Sequence, residues 1–292
     1  MYKLIRYTAF PLVEGGAALL IIWMASTGVA YWPFFPLITL SAITSVAVLE
    51  RVAPYERTWN RDHGGDTFRD VLHITVNQIL VQASVAIGFG LRGLLPESFT
   101  LWPAGAPMWV QVLLAGAVID FGLYVMHRIS HMQPFLWRLH MLHHSPERMY
   151  WMNGGRRHPI SALILAGPAL TLLMVLGATP IAVAAWLAIL SIHLCFQHTN
   201  LDYSLGPLRH LFCVAENHRW HHKRDFEDAQ VNFGELWAIW DHAFGTYHDA
   251  KTTPRIGEVG LIDTFVPRTY LGQMAWPFRK LLKVSSMTEK AR

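Results

Sequence analysis

The stretch MWVQVLLAGAVIDFGLYVMHRISHM, residues 108–132, decides the fold. From Met108 to Met126 it is apolar and long enough for a membrane-spanning helix, which needs about 17–25 residues. It then leads directly into His127-Arg-Ile-Ser-His131. Residues four apart share a helix face, so the two imidazoles point the same way where the span ends. A helix that crosses a bilayer and delivers paired imidazoles to its surface implies an all-α, polytopic integral membrane protein with its chemistry at one face.

Two more clusters follow. His140-Met-Leu-His143-His144 and His218-Arg-Trp-His221-His222 share one HxxHH spacing. Together the three clusters hold eight of the sixteen histidines. Neutral imidazole is the commonest protein ligand for iron, copper and zinc. Eight imidazoles exceed what one four-coordinate ion uses and suit two ions with a position left open for chemistry. There is no HExxH, so the general-base glutamate of a zinc metalloprotease is missing, and no cysteine-rich finger. A pair of ferrous ions that activates O2 is the natural reading.

The rest of the chain is organised around this surface. It has 292 residues, 52% hydrophobic and only 15% charged, against about 25% charged in a soluble domain. Apolar stretches run from Thr8 to Tyr31, interrupted by Glu14, and from Phe35 to Leu49, which is short for a span. A polar loop, Glu50 to Asp70, carries Arg51, Arg57, Arg61 and Arg69. Val71 to Leu91 is a third span, followed by the loop Arg92 to Pro107. After the second histidine cluster, Ile160–Gly177 and Ile181–Phe196 form an apolar helical hairpin turned at Thr179-Pro180. This gives four main transmembrane helices plus the hairpin, capped by histidine-rich segments. Lys3 and Arg6 precede the first apolar block, which lacks a small-x-small cleavage site and reads as an uncleaved helix rather than a signal peptide.

Charge supplies the orientation. With Lys3 and Arg6 inside, the arginine-rich Glu50–Asp70 loop and the His127–Pro159 segment also fall inside, and the hairpin returns the tail to that side. All histidine clusters then lie on the cytoplasmic face. The formal charge of +4 is a topology signal, since no basic run is long enough to track nucleic-acid phosphates. Cys195 and Cys213 form no CxxC pair and imply no disulfide.

Further residues are candidates for the site. His198, just after the hairpin, is a candidate ninth ligand. His158 precedes Pro159 and reads as a ligand, a supporting residue or a headgroup contact. His193 reads as a satisfied core histidine; His63, His73, His210, His242 and His248 are isolated. Asp120 lies mid-span, where a carboxylate is costly unless partnered. It is the catalytic-site candidate, expected to accept the second ring N–H of a liganding histidine; the alternative is a helix-packing bond to Asn77 or another span residue. Asp225, Glu227 and Asp228 read as a solvated acidic loop, and Arg156 and Arg157 either as headgroup ligands or as loop charges.

The order HxxxH, HxxHH, the lone His198 after Gln197, then HxxHH resembles the fatty acid hydroxylase/sterol desaturase superfamily, as do Asn232-Phe233-Gly234 and Trp240-Asp241-His242-Ala243-Phe244-Gly245-Thr246-Tyr247. The resemblance covers residues 66–249, leaving 1–65 as an N-terminal transmembrane hairpin and loop and 250–292 as a tail. It implies a di-iron centre held by His127, His131, His140, His143, His144, His198, His218, His221 and His222. It also implies hydroxylation of an unactivated C–H bond in a membrane lipid with O2 and two external electrons. A desaturase on the same site is the alternative; a metal-dependent hydrolase and a metal carrier are more distant ones. The chain carries Glu216-Asn217 before its last cluster, where many relatives have a proline-glutamate pair. It contains no cytochrome b5 domain, so an external donor such as cytochrome b5 or ferredoxin is expected. A bacterial inner membrane is the favoured location, with endoplasmic reticulum the eukaryotic equivalent.

Overall fold

The structure, a computed structural model, describes residues 2–29, 31–94, 100–250 and 258–279. Six helices among them are long and apolar enough to cross a membrane: α1 (Tyr2–Thr27), α2 (Tyr31–Val52), α3 (Asp66–Arg92), α4 (Met108–Met132), α6 (Pro159–Leu176) and α7 (Pro180–His198). Four short helices, α5 (Pro134–His140), α8 (Ala215–His221), α9 (Ile239–Ala243) and α10 (Tyr270–Ala275), build a cap. Only isolated bridges, not strands, join the extended segments among the described residues. A chain in lipid must satisfy its backbone internally, which leaves helices as the spanning element here.

Local sequence sets the helix ends. α6 and α7 both begin on a proline, whose missing N–H would have no partner in a first turn anyway. α6 stops at Gly177, which takes φ 79°, a left-handed cap that suits glycine. α7 is the central helix, with 61% of its apolar window buried, whereas α3 is peripheral with 6%. α4 seats against α7 and α6 through two glycines. A Cβ on Gly116 would lie 2.3 Å from the Trp186 ring, and one on Gly122 would lie 2.6 Å from the Ala169 Cβ.

Two boundaries differ from the sequence reading. α2 is 22 residues rather than a short span, because it begins at Tyr31, with a kink at Trp32, and continues through Glu50 and Arg51 to Val52. Glu50 is not in a polar loop. Its carboxylate is buried and accepts the N–H groups of Trp151 and Asn200 and the Thr199 hydroxyl. α1 starts at Tyr2 and carries a π-helical turn, Pro11–Gly15, that buries Glu14. Within the expected loop Arg92–Pro107, residues 95–99 lie outside the described residues, as do 251–257 and 280–292 of the expected tail.

The spans run up and down, so alternate ends meet. Arg6 of α1 pairs with Asp202 at 2.5 Å, Glu50 of α2 holds Asn200, and Asp66 of α3 holds Arg148. These contacts place the starts of α1, α3 and α6 and the ends of α2, α4 and α7 on one side, beneath the cap.

Candidate metal centre

Five elements deliver the nine histidines. The last turns of α4 carry His127 and His131, and His198 is the last residue of α7. His140 ends α5, and a turn closed by His143 N–H to His140 O then presents His143 and His144. α8 carries His218 and His221, with His222 as its C-cap. The HxxHH clusters therefore straddle helix ends rather than lie on one continuous face. All nine side chains are buried.

They form two groups. His127, His131, His140, His144 and His221 converge in one, and His143, His198, His218 and His222 in the other. Within each group, one nitrogen per ring lies within 4.8 Å of the rest. Both HxxHH clusters are shared between groups. The adjacent histidines of each cluster, His143 with His144 and His221 with His222, diverge to the two centres.

The carbonyl partners assign which nitrogen faces inward. His127 and His221 each donate Nδ1–H to a carbonyl, of Phe233 and Val231, both at 2.8 Å. Their Nε2 atoms are then bare, yet lie 3.0 Å apart. In the second group His143 donates Nδ1–H to Arg156 O at 3.3 Å and His198 to Leu194 O at 2.9 Å, and their bare Nε2 atoms face at 3.3 Å. Two lone pairs so placed repel unless a cation joins them. Nitrogens each about 2.1 Å from one ion sit about 3.0–3.4 Å apart, so the spacing fits metal ligation. Burial holds His140, His143, His144, His218, His221 and His222 well below the usual histidine range, with the neighbouring cationic forms adding to it. That keeps them in the neutral, ligating form. An all-imidazole donor set favours iron, copper or zinc over magnesium or calcium.

A buried polar shell supports these rings. Arg157 donates to both oxygens of Glu235, at 2.9 and 3.2 Å, and Glu235 lies 3.8 Å from His127 Nδ1. Asp70 joins Arg156 at 2.6 Å and the Tyr150 hydroxyl, and Arg148 makes a two-pronged pair with Asp66. Arg156 and Arg157 are therefore internal ion-pair members, not headgroup ligands or loop charges. Asp241 accepts the N–H groups of Phe233 and Gly234 and the Thr246 hydroxyl, fixing the carbonyl that orients His127; burial pushes its carboxyl up to about 6. The sequence reading missed Glu50, Asp70, Glu235 and Asp241 as buried supports. Only Asp241 carried a signal, inside the Trp240–Tyr247 motif.

Two candidates fall outside the groups. Asp120 touches no imidazole: it accepts from Leu236 N–H, Trp237 N–H and the Trp240 indole, and not from Asn77. Seven residues before His127 it shares a face, but two turns place it about 10 Å further along the axis. His158 caps α6 by accepting Ile160 N–H and gives its other ring N–H to Met274 O, so both nitrogens are used. His193 is a core histidine bonded to Cys213 O. His73 is buried between Arg157 O and Gln273 rather than free. Asp225, Glu227 and Asp228 are exposed, as expected of a solvated loop.

Two cavities lie close to the site, one lined by Gly154 beside His198 and one lined by His144. On the membrane side an apolar chamber of about 170 Å³ is enclosed by α2, α3, α4, α6 and α7 and roofed by Trp151, Gly154 and Arg157. Gly154 is required there, since a Cβ would stand 2.9 Å from Leu194 O and 3.1 Å from His198 Nδ1. On the cap side a cleft of about 200 Å³ between Trp137 and Phe226 reaches His144.

The fatty acid hydroxylase family profile matches residues 112–246. Ornithine lipid hydroxylase OlsE of Rhizobium tropici is 34% identical over 85% of this chain and 76% of its own. Human alkylglycerol monooxygenase is 28% identical over 54% of this chain and 35% of its own. Sphingolipid C4-hydroxylase sur2 of Schizosaccharomyces pombe is 29% identical over 49% of each. This chain thus spans three quarters of the first relative but a half or less of the others. No solved structure matches. The profile and the long alignment agree with the histidine geometry: the chain is an integral membrane member of the fatty acid hydroxylase/sterol desaturase superfamily.

Proposed function

We propose that the protein is a di-iron lipid hydroxylase that carries out R–H + O2 + 2 e⁻ + 2 H⁺ → R–OH + H2O. The observation that carries this reading is the convergence of two buried imidazole groups in a protein of six apolar helices, with an apolar chamber lined by Gly154, which abuts His198. The relatives' names, hydroxylase and monooxygenase, support it. The nine histidines would hold two ferrous ions, which supply O2 activation and C–H oxidation when bound. The chain supplies the rest. Backbone carbonyls of Phe233, Val231, Arg156 and Leu194 fix the ring orientations, and second-sphere fixing of this kind tunes affinity. Full burial excludes water, and the chamber walls hold an unactivated chain beside the roof.

Electrons would come from an external carrier such as cytochrome b5 or ferredoxin, through the cleft at Trp137 and His144. A bacterial inner membrane with the cap on the cytoplasmic face is favoured by the Rhizobium relative and by the arginine distribution.

The test compares lipids from cells expressing the intact protein with those expressing His143→Ala/His221→Ala, by mass spectrometry under labelled O2. One labelled oxygen atom in a lipid, only with the intact protein, is expected. A lipid that loses two hydrogens without label would replace hydroxylation with desaturation. An unchanged lipid profile from iron-loaded protein supplied with reductant would overturn the reading.

A further inference from the structure

The residues after α7 belong by sequence to the cap, yet one stretch of them lies well below it. α7 has 19 residues, about 28 Å, so a hydrocarbon core of about 30 Å takes all of it. Its cap-side end is His198, and Trp186 lies twelve residues before that, about 18 Å down the axis. Trp237 stacks on the Trp186 ring with centroids 6.2 Å apart. α4 is a second ruler. Asp120 lies about 10 Å below His127, and it accepts the N–H groups of Leu236 and Trp237 and the Trp240 indole N–H. The Phe244 ring stacks on Tyr124 at 5.5 Å and on Phe121 at 6.1 Å. Two helices therefore agree that residues 236–244 lie alongside the spans rather than above them.

Residues 234–238 are not helical, and non-helical backbone survives at such depth only where protein satisfies its polar groups. Here it does. Besides Asp120, Gln197 donates to Gly234 O at 3.0 Å and to Glu235 O at 2.8 Å. Cys213 N–H reaches Leu236 O and Ala238 N–H reaches Leu211 O, both at 2.9 Å. A loop in water needs no buried carboxylate for its amides. The outward side chains are apolar: Leu211, Ile239 and Phe244 are 39%, 41% and 48% exposed, continuous with the lipid-facing Phe121 of α4. His210 and His242 are exposed too, but His242 gives its ring N–H to His210 O and stacks on Tyr247 at 3.9 Å. We propose that residues 236–244, with 211–213 beside them, form a re-entrant element seated in the cap-side leaflet, where Leu211, Ile239 and Phe244 pack against lipid acyl chains. Asp120 then has a role that the metal centre does not give it, which is to satisfy the element's amides inside the bilayer. Phe233, whose carbonyl orients His127, stands just before the element, so the first imidazole group is braced from within the leaflet.

The test uses the intact protein in phosphatidylcholine vesicles and needs neither metal nor turnover. Ile239→Cys and Phe244→Cys are labelled separately with a nitroxide. Power saturation then compares collisions with O2, which partitions into lipid, and with a water-soluble nickel chelate. Cys195 and Cys213 are buried, and the unsubstituted protein supplies the background. Asp225→Cys is the aqueous reference, and Leu172→Cys on the exposed face of α6 is the lipid reference. The ratio of O2 to nickel collisions at the Ile239 and Phe244 positions should exceed that at Asp225 by about tenfold and match Leu172 within about threefold. Substitution at exposed positions leaves the core intact, which an unchanged melting temperature verifies; Leu211→Cys samples the neighbouring strand of the element if either variant fails to fold. Nickel access equal to that at Asp225 would place the element in water and overturn the proposal. Low access to both probes would also overturn it, because protein would then cover this face, as in an association of two copies of the chain. Neither outcome bears on the hydroxylase reading, which the lipid comparison tests separately.

Discussion

Asp120 and Asp241 grip one loop from two sides, and the consequences of losing each differ. Asp241 holds the Phe233 and Gly234 amides and thereby the carbonyl that orients His127. Asp120 holds Leu236, Trp237 and the Trp240 indole, away from every ring. Asp241→Asn turns an amide NH2 toward an N–H that needs an acceptor, so we expect metal content to fall at least twofold, by elemental analysis of purified protein. Asp120→Ala should cost about 3 kcal/mol by leaving buried donors unpaired, read as a lower denaturation midpoint, while the folded fraction keeps its metal-binding capacity. His158→Ala should cost only about 1 kcal/mol, the value of a helix cap, with metal content unchanged. Metal loss in the His158 variant would restore it as a ligand. The histidine clusters were legible because spacing reports direction. Asp120 was misread because shared direction says nothing of depth along the axis.

Among the elements, what the sequence could show was length and apolarity, and these located the spans. Their packing order was not visible, because α3 and α7 are similarly apolar although one is peripheral and the other central. The ends were harder still: Glu50 looked like the start of a loop, but its partners Trp151 and Asn200 lie 101 and 150 residues away. Supports for the histidines were hidden for the same reason, since Asp70 with Arg156 and Glu235 with Arg157 are pairs only in space. Close helix approach has a direct test. Gly116→Ala drives a methyl into the Trp186 ring and should cost about 1–3 kcal/mol, whereas Gly167→Ala, with nothing within 4 Å of the added carbon, should be neutral or slightly stabilising. Equal thermal stability of the two variants in detergent would contradict the α4–α7 packing.

For the whole molecule, the buried imidazoles couple stability to pH and to metal. Six cap histidines have folded pKa values depressed below the ordinary 6.5. Above 6.5 both folded and unfolded forms are neutral; below it only the unfolded chain takes up protons, so stability is lost as pH falls. Each group contributes up to about 1.4 kcal/mol per pH unit. Asp241, raised to about 6, acts in the opposite sense as pH falls from 6 toward 3.8, but it is one group against six. Metal-free protein should therefore melt at sharply lower temperature at pH 5.5 than at pH 7.5. Removing bound metal with a chelator at pH 7.5 should also lower the melting temperature, because a metal that binds only the folded form stabilises it. A pH-independent melting curve for the metal-free protein would contradict the burial of the cap. The nine rings come from the ends of α4, α5, α7 and α8 and from the turn after α5, and they meet only because six spans alternate in direction. A nascent chain that fails to thread one of the later spans would strand His198 and the last cluster on the far side of the bilayer. Such a chain could not assemble either group, so metal capture would work as a checksum on membrane insertion, recording that every later crossing was made.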